Sequence, residues 1–531
     1  MALRPGTDWQ QRGQPSRSHA RSRKPPKARY TYTRMHSSPP SVPATPNHED
    51  LRLCKRGLLL LMLFTPLVAA LFGFAALQSK APQWPVHLQE SVRRGSIRAA
   101  DGTIFAEGSV FYRRYPQGSL AAHIIGFSGA EQPGGNFGLE GLEYTLDTRL
   151  QAGEDIVITL DPALQAVAQA ELRKAVEEFQ AENGALVMIE AGTGNILAAA
   201  SFPEYDPNNL RNVRPQDMSN RAFLQQVEPG STIKPFLIAA LLEEGRVSPL
   251  EVLQVASTMR VGEQTFRDVA SHDSRLTPAD ILRYSSNVGT ILLGQRFSAE
   301  ELHAWYRRFH FGQDIGLRAM YTRPGLLNPW QNWVPQDHAS VSIGQSISVT
   351  AVQLAAAYSI FANDGLYIPP RLIYEAPASY EEGQDNAIMQ ASSIVATYDE
   401  SAYSAPAMLG ERVISQEVAH AVRDMLVYTV EQSSLRRAKI PGVMVAGKSG
   451  TADIFDYHQG RYIPGDYTMS FAGFFPADNP RITAVVYLQR PRVGGLSSMV
   501  ATPVFRAVGS ETVALWGIPP RAEHYAERAL Q

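Results

Sequence analysis

Cysteine is all but missing. The 531-residue chain has one, Cys54, placed just before a long apolar run. Everything downstream of that run therefore lacks a thiol, which excludes a disulfide framework, a cysteine nucleophile and a cysteine-ligated metal there. Lysine is nearly as scarce, with 8 lysines against 41 arginines, and only Lys174, Lys234, Lys439 and Lys448 lie beyond residue 80. The histidines show no metal-ligand spacing such as H-E-x-x-H. No glycine-rich phosphate loop is present, because the "GTG" of Gly192–Gly194 falls in a hairpin pattern rather than between strand and helix. No metal and no cofactor are expected.

What is present divides unevenly. Residues 1–56 hold 12 Lys+Arg and 3 Asp+Glu, a charge of +9, so the remainder carries -11 of the net -2. An acidic body argues against nucleic-acid binding, which rests on clustered basic residues. Next comes "GLLLLMLFTPLVAALFGFAAL", Gly57 to Leu77, 21 residues without a charge. That length suits a helix crossing a hydrocarbon core of about 30 Å, and it exceeds the apolar core of a cleavable signal. The basic flank before it predicts a cytoplasmic N-terminus and an exported body. Residues 1–50, rich in Arg, Pro and Ser, read as a disordered tail.

Beyond the run, 81–181 reads as an irregular, strand-containing module. "DIVITLD" (Asp155–Asp161) alternates as a strand, Pro162–Phe179 has helical spacing, and Gly184–Phe202 reads as two buried strands around a turn. Helices are expected over 235–244, 278–295, 299–309, 349–363 and 416–431, and strands return over 467–476 and 481–491. Strands first, helices between and strands last predict an α+β domain whose sheet joins both ends of its segment.

In a chain this rich in arginine, a lysine in an apolar setting suggests a need that arginine cannot meet, such as losing its proton. Lys234 has that setting in "EPGSTIKPFLIAALL". Pro235 is tolerated only in a first turn, so Ser231 must stand at a helix N-terminus with Lys234 one turn on. A serine beside a desolvated amine forms a nucleophile with its base, and backbone N–H groups at the helix end can receive an oxyanion. The pair alone is weak, since a serine three residues before a lysine also arises by chance. Ser285-Ser-Asn287 and Lys448-Ser449-Gly450 follow in order. Asp268 and His272 suggest a dyad, set against the reading of a solvated loop.

Ser-x-x-Lys, Ser-x-Asn and Lys-Ser/Thr-Gly in this order resemble penicillin-binding proteins and serine β-lactamases. The similarity runs from about residue 94 to 508, through "GLEGLE" (138–143), "TGNILAAASFPEYDPNN" (193–209), "SIGQSISVT" (342–350) and "ATPVFRAV" (501–508). It is closest in kind to class B penicillin-binding proteins, and Ser285-Ser-Asn287 followed by Val-Gly is similar to the septal FtsI family. The resemblance implies a cytoplasmic tail (1–55), a transmembrane helix (56–78), a membrane-proximal pedestal (79–181), a transpeptidase domain (182–520) and a C-terminal tail (521–531). It also implies an enzyme that cross-links peptidoglycan stem peptides, with β-lactams as covalent inhibitors and a membrane glycosyltransferase of the division machinery as partner.

Carried over by position, the resemblance gives Ser231 as nucleophile, Lys234 as base, Ser285 as proton relay and Asn287 as holder of the donor peptide. Lys448 supplies positive potential, while Ser449, Gly450 and Thr451 bind the substrate, with the N–H groups of Ser231 and Thr451 forming the oxyanion hole. Ala99-Ala100 departs from an Asp-Arg pair usual in the family, and Lys448-Ser449 from the commoner Lys-Thr. An elongation-type transpeptidase, a D,D-carboxypeptidase or β-lactamase-like hydrolase, and a non-catalytic division scaffold stay open.

Overall fold

The structure, a computed structural model, describes residues 93–109, 111–129, 137–374, 410–456 and 459–520. The apolar run 57–77 and both proposed tails lie outside them. Among the described residues, no helix is long and apolar enough to cross a membrane.

The strand-containing module forms a four-stranded sheet from β1 (Ile97–Ala99), β2 (Ile104–Gly108), β3 (Arg113–Arg114) and β4 (Ile156–Ile158), in the order β3-β2-β1-β4. β1 runs antiparallel to β2 and parallel to β4. A buried ion cluster ties this module together: Arg94 Nη2 lies 2.7 Å from both Glu143 and Asp147, and Arg113 Nε lies 2.6 Å from Glu143. Such a cluster is costly to break on one side, because the remaining charge is left buried and unpaired.

Helix α1 (Pro162–Glu178) starts as its sequence predicts, with Asp161 accepting the N–H groups of Ala163 and Leu164 and proline in the first turn. The hairpin β5 (Asn183–Glu190) and β6 (Ile196–Phe202) follows. Leu186 and Met188 of β5 join Leu164, Ala168 and Leu172 of α1 in one core, while Ala185, Val187 and Ile189 face a second core on the opposite side. Both faces are covered, which is why the strand reads as a continuous apolar run rather than an alternation.

Helix α2 (Lys234–Glu243) runs through the second core with residues 234–241 all buried. Its Phe236 ring meets Phe309, Phe311, Tyr358 and Phe361 at centroid distances of 5.1, 4.9, 5.3 and 5.0 Å. The expected helix over 278–295 is in fact two, α3 (Pro278–Tyr284) and α4 (Asn287–Gly294). The break falls at Ser285, whose φ of 56° and ψ of 37° are left-handed and rare for serine. α5 (Ala351–Ala362) and α6 (Gln416–Gln432) complete this layer.

The closing strands are β7 (Ala446–Asp456), β8 (Arg461–Phe475) and β9 (Ile482–Gln489), followed by α7 (Ser497–Leu515), which packs in the same core as α1. They extend the first hairpin into an antiparallel sheet of order β7-β8-β9-β5-β6. The expectation that one sheet joins both ends of its segment holds.

Candidate active site

Three elements converge on the site: the turn before α2, the break between α3 and α4, and edge strand β7. Ser231 lies in a short 3-10 turn, Gly230–Ile233, directly ahead of α2 and is half-buried, with Lys234 opening the helix. Gly230 has φ of +52°, and a Cβ there would stand 2.8 Å from the Thr451 carbonyl oxygen of β7. Gly344 has φ of +85°, and its Cβ would lie 2.0 Å from the Gly230 oxygen. These glycines let the backbone of the nucleophile turn press against β7 and the 342–346 loop. Gly450 is required for a similar reason, since a Cβ would meet the Pro229 oxygen at 2.5 Å.

Lys234 is 0% exposed and forms no ion pair among the described residues. Its Nζ donates to the Ser285 carbonyl at 2.7 Å and to Asn287 Oδ1 at 2.8 Å, and lies 3.5 Å from Ser285 Oγ. These contacts run to the Ser285–Asn287 turn, and none of them reaches the Ser231 hydroxyl. Burial, with a smaller push from Lys448, holds the amine well below the ordinary lysine value, against the opposing charge of Asp268.

Lys448 is also buried, and its Nζ donates to Ser285 Oγ at 3.0 Å and to the Ser449 carbonyl at 2.9 Å. Burial lowers it to about 7. Ser285 Oγ thus stands between two buried amines, which left-handed Ser285 makes possible by turning the chain back on itself. Neither amine is ion-paired with a carboxylate among the described residues, and burial eases the loss of a proton from both. Ser449 is half-buried and Thr451 exposed along β7. The Asn287 amide is engaged within the protein, its Nδ2 donating to the Arg267 carbonyl at 3.0 Å.

Two features were not visible in the sequence. Asp268 and His272 stand in an exposed loop, yet their side chains turn inward, 2% and 3% exposed and 2.7 Å apart. Glu228, three residues before Ser231, is half-buried, and desolvation pushes its carboxyl up to about 7. Its Oε1 accepts from the Ser346 N–H and the Tyr462 hydroxyl, both at 3.0 Å, while Oε2 is buried without a hydrogen bond.

A carboxyl raised on folding favours the protonated folded form. That contribution is fully present below the ordinary value of 4.5 and is lost as pH rises to about 7. Wild-type stability should therefore decline over this window by about 3 kcal/mol from this group, at about 1.4 kcal/mol per unit. In Glu228→Gln that share of the decline should vanish. Urea midpoints at pH 5 and pH 8 check this, and equal slopes for the two proteins would refute it.

Residues 184–509 match the family described as penicillin binding protein transpeptidase domain. The chain belongs to that family. This penicillin-binding protein is 32% identical over 439 residues to the probable peptidoglycan D,D-transpeptidase PenA of Neisseria gonorrhoeae, covering 77% of this chain and 69% of that one. It is 30% identical over 442 residues to the peptidoglycan D,D-transpeptidase FtsI of Escherichia coli, covering 77% and 68%. Its fold is similar to that of penicillin binding protein 3 from Mycobacterium tuberculosis in the apo form, with a TM-score of 0.70 at 30% identity over 81% of this chain and 97% of that one. The ampicillin complex of the same relative gives a TM-score of 0.71 with the same coverage. The class B resemblance drawn from the motifs is thereby upheld for this penicillin-binding protein.

Proposed function

We propose that this class B penicillin-binding protein is a serine peptidoglycan D,D-transpeptidase of septal wall synthesis, held by one membrane span at 57–77 with its catalytic domain outside the cytoplasm. The single-pass topology rests on the charge and hydropathy of the sequence, and the domain bounds on the family resemblance. The septal role is supported by the likeness to FtsI and by Ser285-Ser-Asn287. A membrane glycosyltransferase of the division machinery is the expected partner on the likeness to FtsI.

One observation carries the chemistry: a buried amine, unpaired with any carboxylate, stands one turn from Ser231 and is wired through Ser285 to a second buried amine. Ser231 gives its proton to neutral Lys234 as Oγ attacks the carbonyl of the penultimate D-Ala. The peptide bond to the terminal D-Ala breaks, and the proton passes to the leaving amine by way of Lys234 and Ser285. The amine of a neighbouring stem peptide then attacks the ester, forming the cross-link and returning a proton to Ser231. Lys448 supplies positive potential at Ser285, Asn287 holds the donor peptide, and Ser449, Gly450 and Thr451 line the place of its carboxylate. The N–H groups of Ser231 and Thr451 receive the oxyanion.

The test is peptide mapping by mass spectrometry after exposure to a β-lactam. A single adduct on the peptide containing Ser231 is expected, and an adduct elsewhere would overturn the assignment. Supplying a D-amino acid acceptor with a stem-peptide thioester separates the two outcomes of the ester. An amide product is expected, and release to water alone would make the enzyme a hydrolase.

A further inference from the structure

The hairpin formed by Thr258–Val261 and Gln264–Arg267 ends at Asp268, against the N-terminus of α4. There the Asp268 carboxylate accepts four hydrogen bonds. Oδ1 takes the N–H groups of Asn287 at 2.5 Å and Val288 at 3.0 Å, and Oδ2 takes the Ser286 hydroxyl at 2.6 Å and His272 Nε2–H at 2.7 Å. A carboxylate at this place also satisfies otherwise orphaned helix donors and opposes the helix dipole. The residue before it, Arg267, accepts from the Asn287 side chain. One short segment therefore holds both the backbone and the amide of Asn287, whose Oδ1 in turn holds Lys234.

The order serine, aspartate, histidine is not that of a hydrolytic triad. The carboxylate lies between the other two, so His272 has no path to the Ser286 proton. His272 instead has both ring nitrogens facing acceptors, Nε2 the carboxylate and Nδ1 the Asp273 carbonyl at 2.7 Å. Only the imidazolium donates from both. The groups facing this cation are Asp268, Asp273 and the Tyr284 ring, its centroid 5.8 Å away. From α2, Lys234 feels the charge of Asp268, and Lys448 on β7 acts on the same amine in the opposite sense.

We propose that Asp268 and His272 are positioning residues for acyl transfer: the carboxylate fixes Asn287 and the start of α4 so that the turn holds the Lys234 amine, and the imidazolium fixes the carboxylate. The proposal rests on Ser231 and Lys234 acting as described above. It also makes the pair an electrostatic counterweight, since the negative carboxylate favours the ammonium form of Lys234 and the neighbouring cation offsets it.

The test is the rate of acylation by a fluorescent penicillin, measured from pH 5.5 to 9.5 on the full-length protein. Asp268→Asn should slow acylation roughly 10- to 100-fold through misplacement of the turn. It should also move the rising limb of the profile to lower pH, because the ammonium loses its counter-charge. His272→Gln keeps an N–H for the carboxylate but not the positive charge, so it should cost less rate and move the limb to higher pH. Opposite displacements are the mark of the pair, and a purely structural role moves neither limb. Wild-type rates and limbs in both variants would overturn the proposal, as would rate losses that merely track lost thermal stability. If Asp268→Asn does not fold, the direction of the His272→Gln limb decides. Adduct mapping on the wild type tests the Ser231 assignment separately, so the two failures are distinguishable.

Discussion

Lys234→Met is expected to slow β-lactam acylation about 10³-fold, within the range of a general base, while the protein stays folded. The two side chains are close in length and shape, and α2 is buried on every side, so methionine fits where an apolar residue is ordinarily found. Two acceptors, the Ser285 carbonyl and Asn287 Oδ1, lose their donor, at about 1–3 kcal/mol each. Against this, the cost of burying an amine disappears, so net stability should change little. Lys234→Arg should be as slow, because a guanidinium cannot give up its proton. A time course with fluorescent penicillin decides, and a Lys234→Met rate within about threefold of wild type would exclude the amine as base.

Phe236→Ala should destabilise the protein by about 3–5 kcal/mol, the usual loss for a buried aromatic. Phe236 is 0% exposed and meets four other aromatic rings, so the cavity it leaves is walled by large, poorly collapsible side chains. It stands two residues after Lys234, and acylation should fall with stability because the helix presenting the base loses its anchor. The shift in urea midpoint measures the first effect. A change under about 1 kcal/mol would mean that the cluster closes over the gap.

The chemistry was legible because scarcity made it so. With only four lysines beyond residue 80, Lys234 and Lys448 stood out before any contact was known, and the structure brings both to Ser285. Buried strands were legible in Gly184–Phe202 because a short, wholly apolar run bounded by turn residues has few other uses. The break in 278–295 was not, because the left-handed geometry of Ser285 is imposed by tertiary contacts and no local preference of serine announces it. Asp268 was misread for a related reason. Its four donors come from residues 4 to 20 positions away, and nothing in "FRDVASHD" shows that a helix N-terminus will close over it. Glu228 sits in a familiar motif, yet the burial that raises its carboxyl, and the Ser346 and Tyr462 hydrogen bonds that partly oppose the rise, come from chain over 100 residues distant.

The order of the large sheet has a consequence for how the protein is made. Its middle strand, β9, is the last to leave the ribosome, and it pairs with β5 in a register that sets Asn183 opposite Gln489. Until those last residues emerge, one edge of the first hairpin is open. Contacts so remote in sequence close late and leave an aggregation-prone edge during synthesis. A chain stopped before β9 would therefore carry Ser231, Lys234, Ser285, Asn287 and Lys448 with no completed sheet to hold them together.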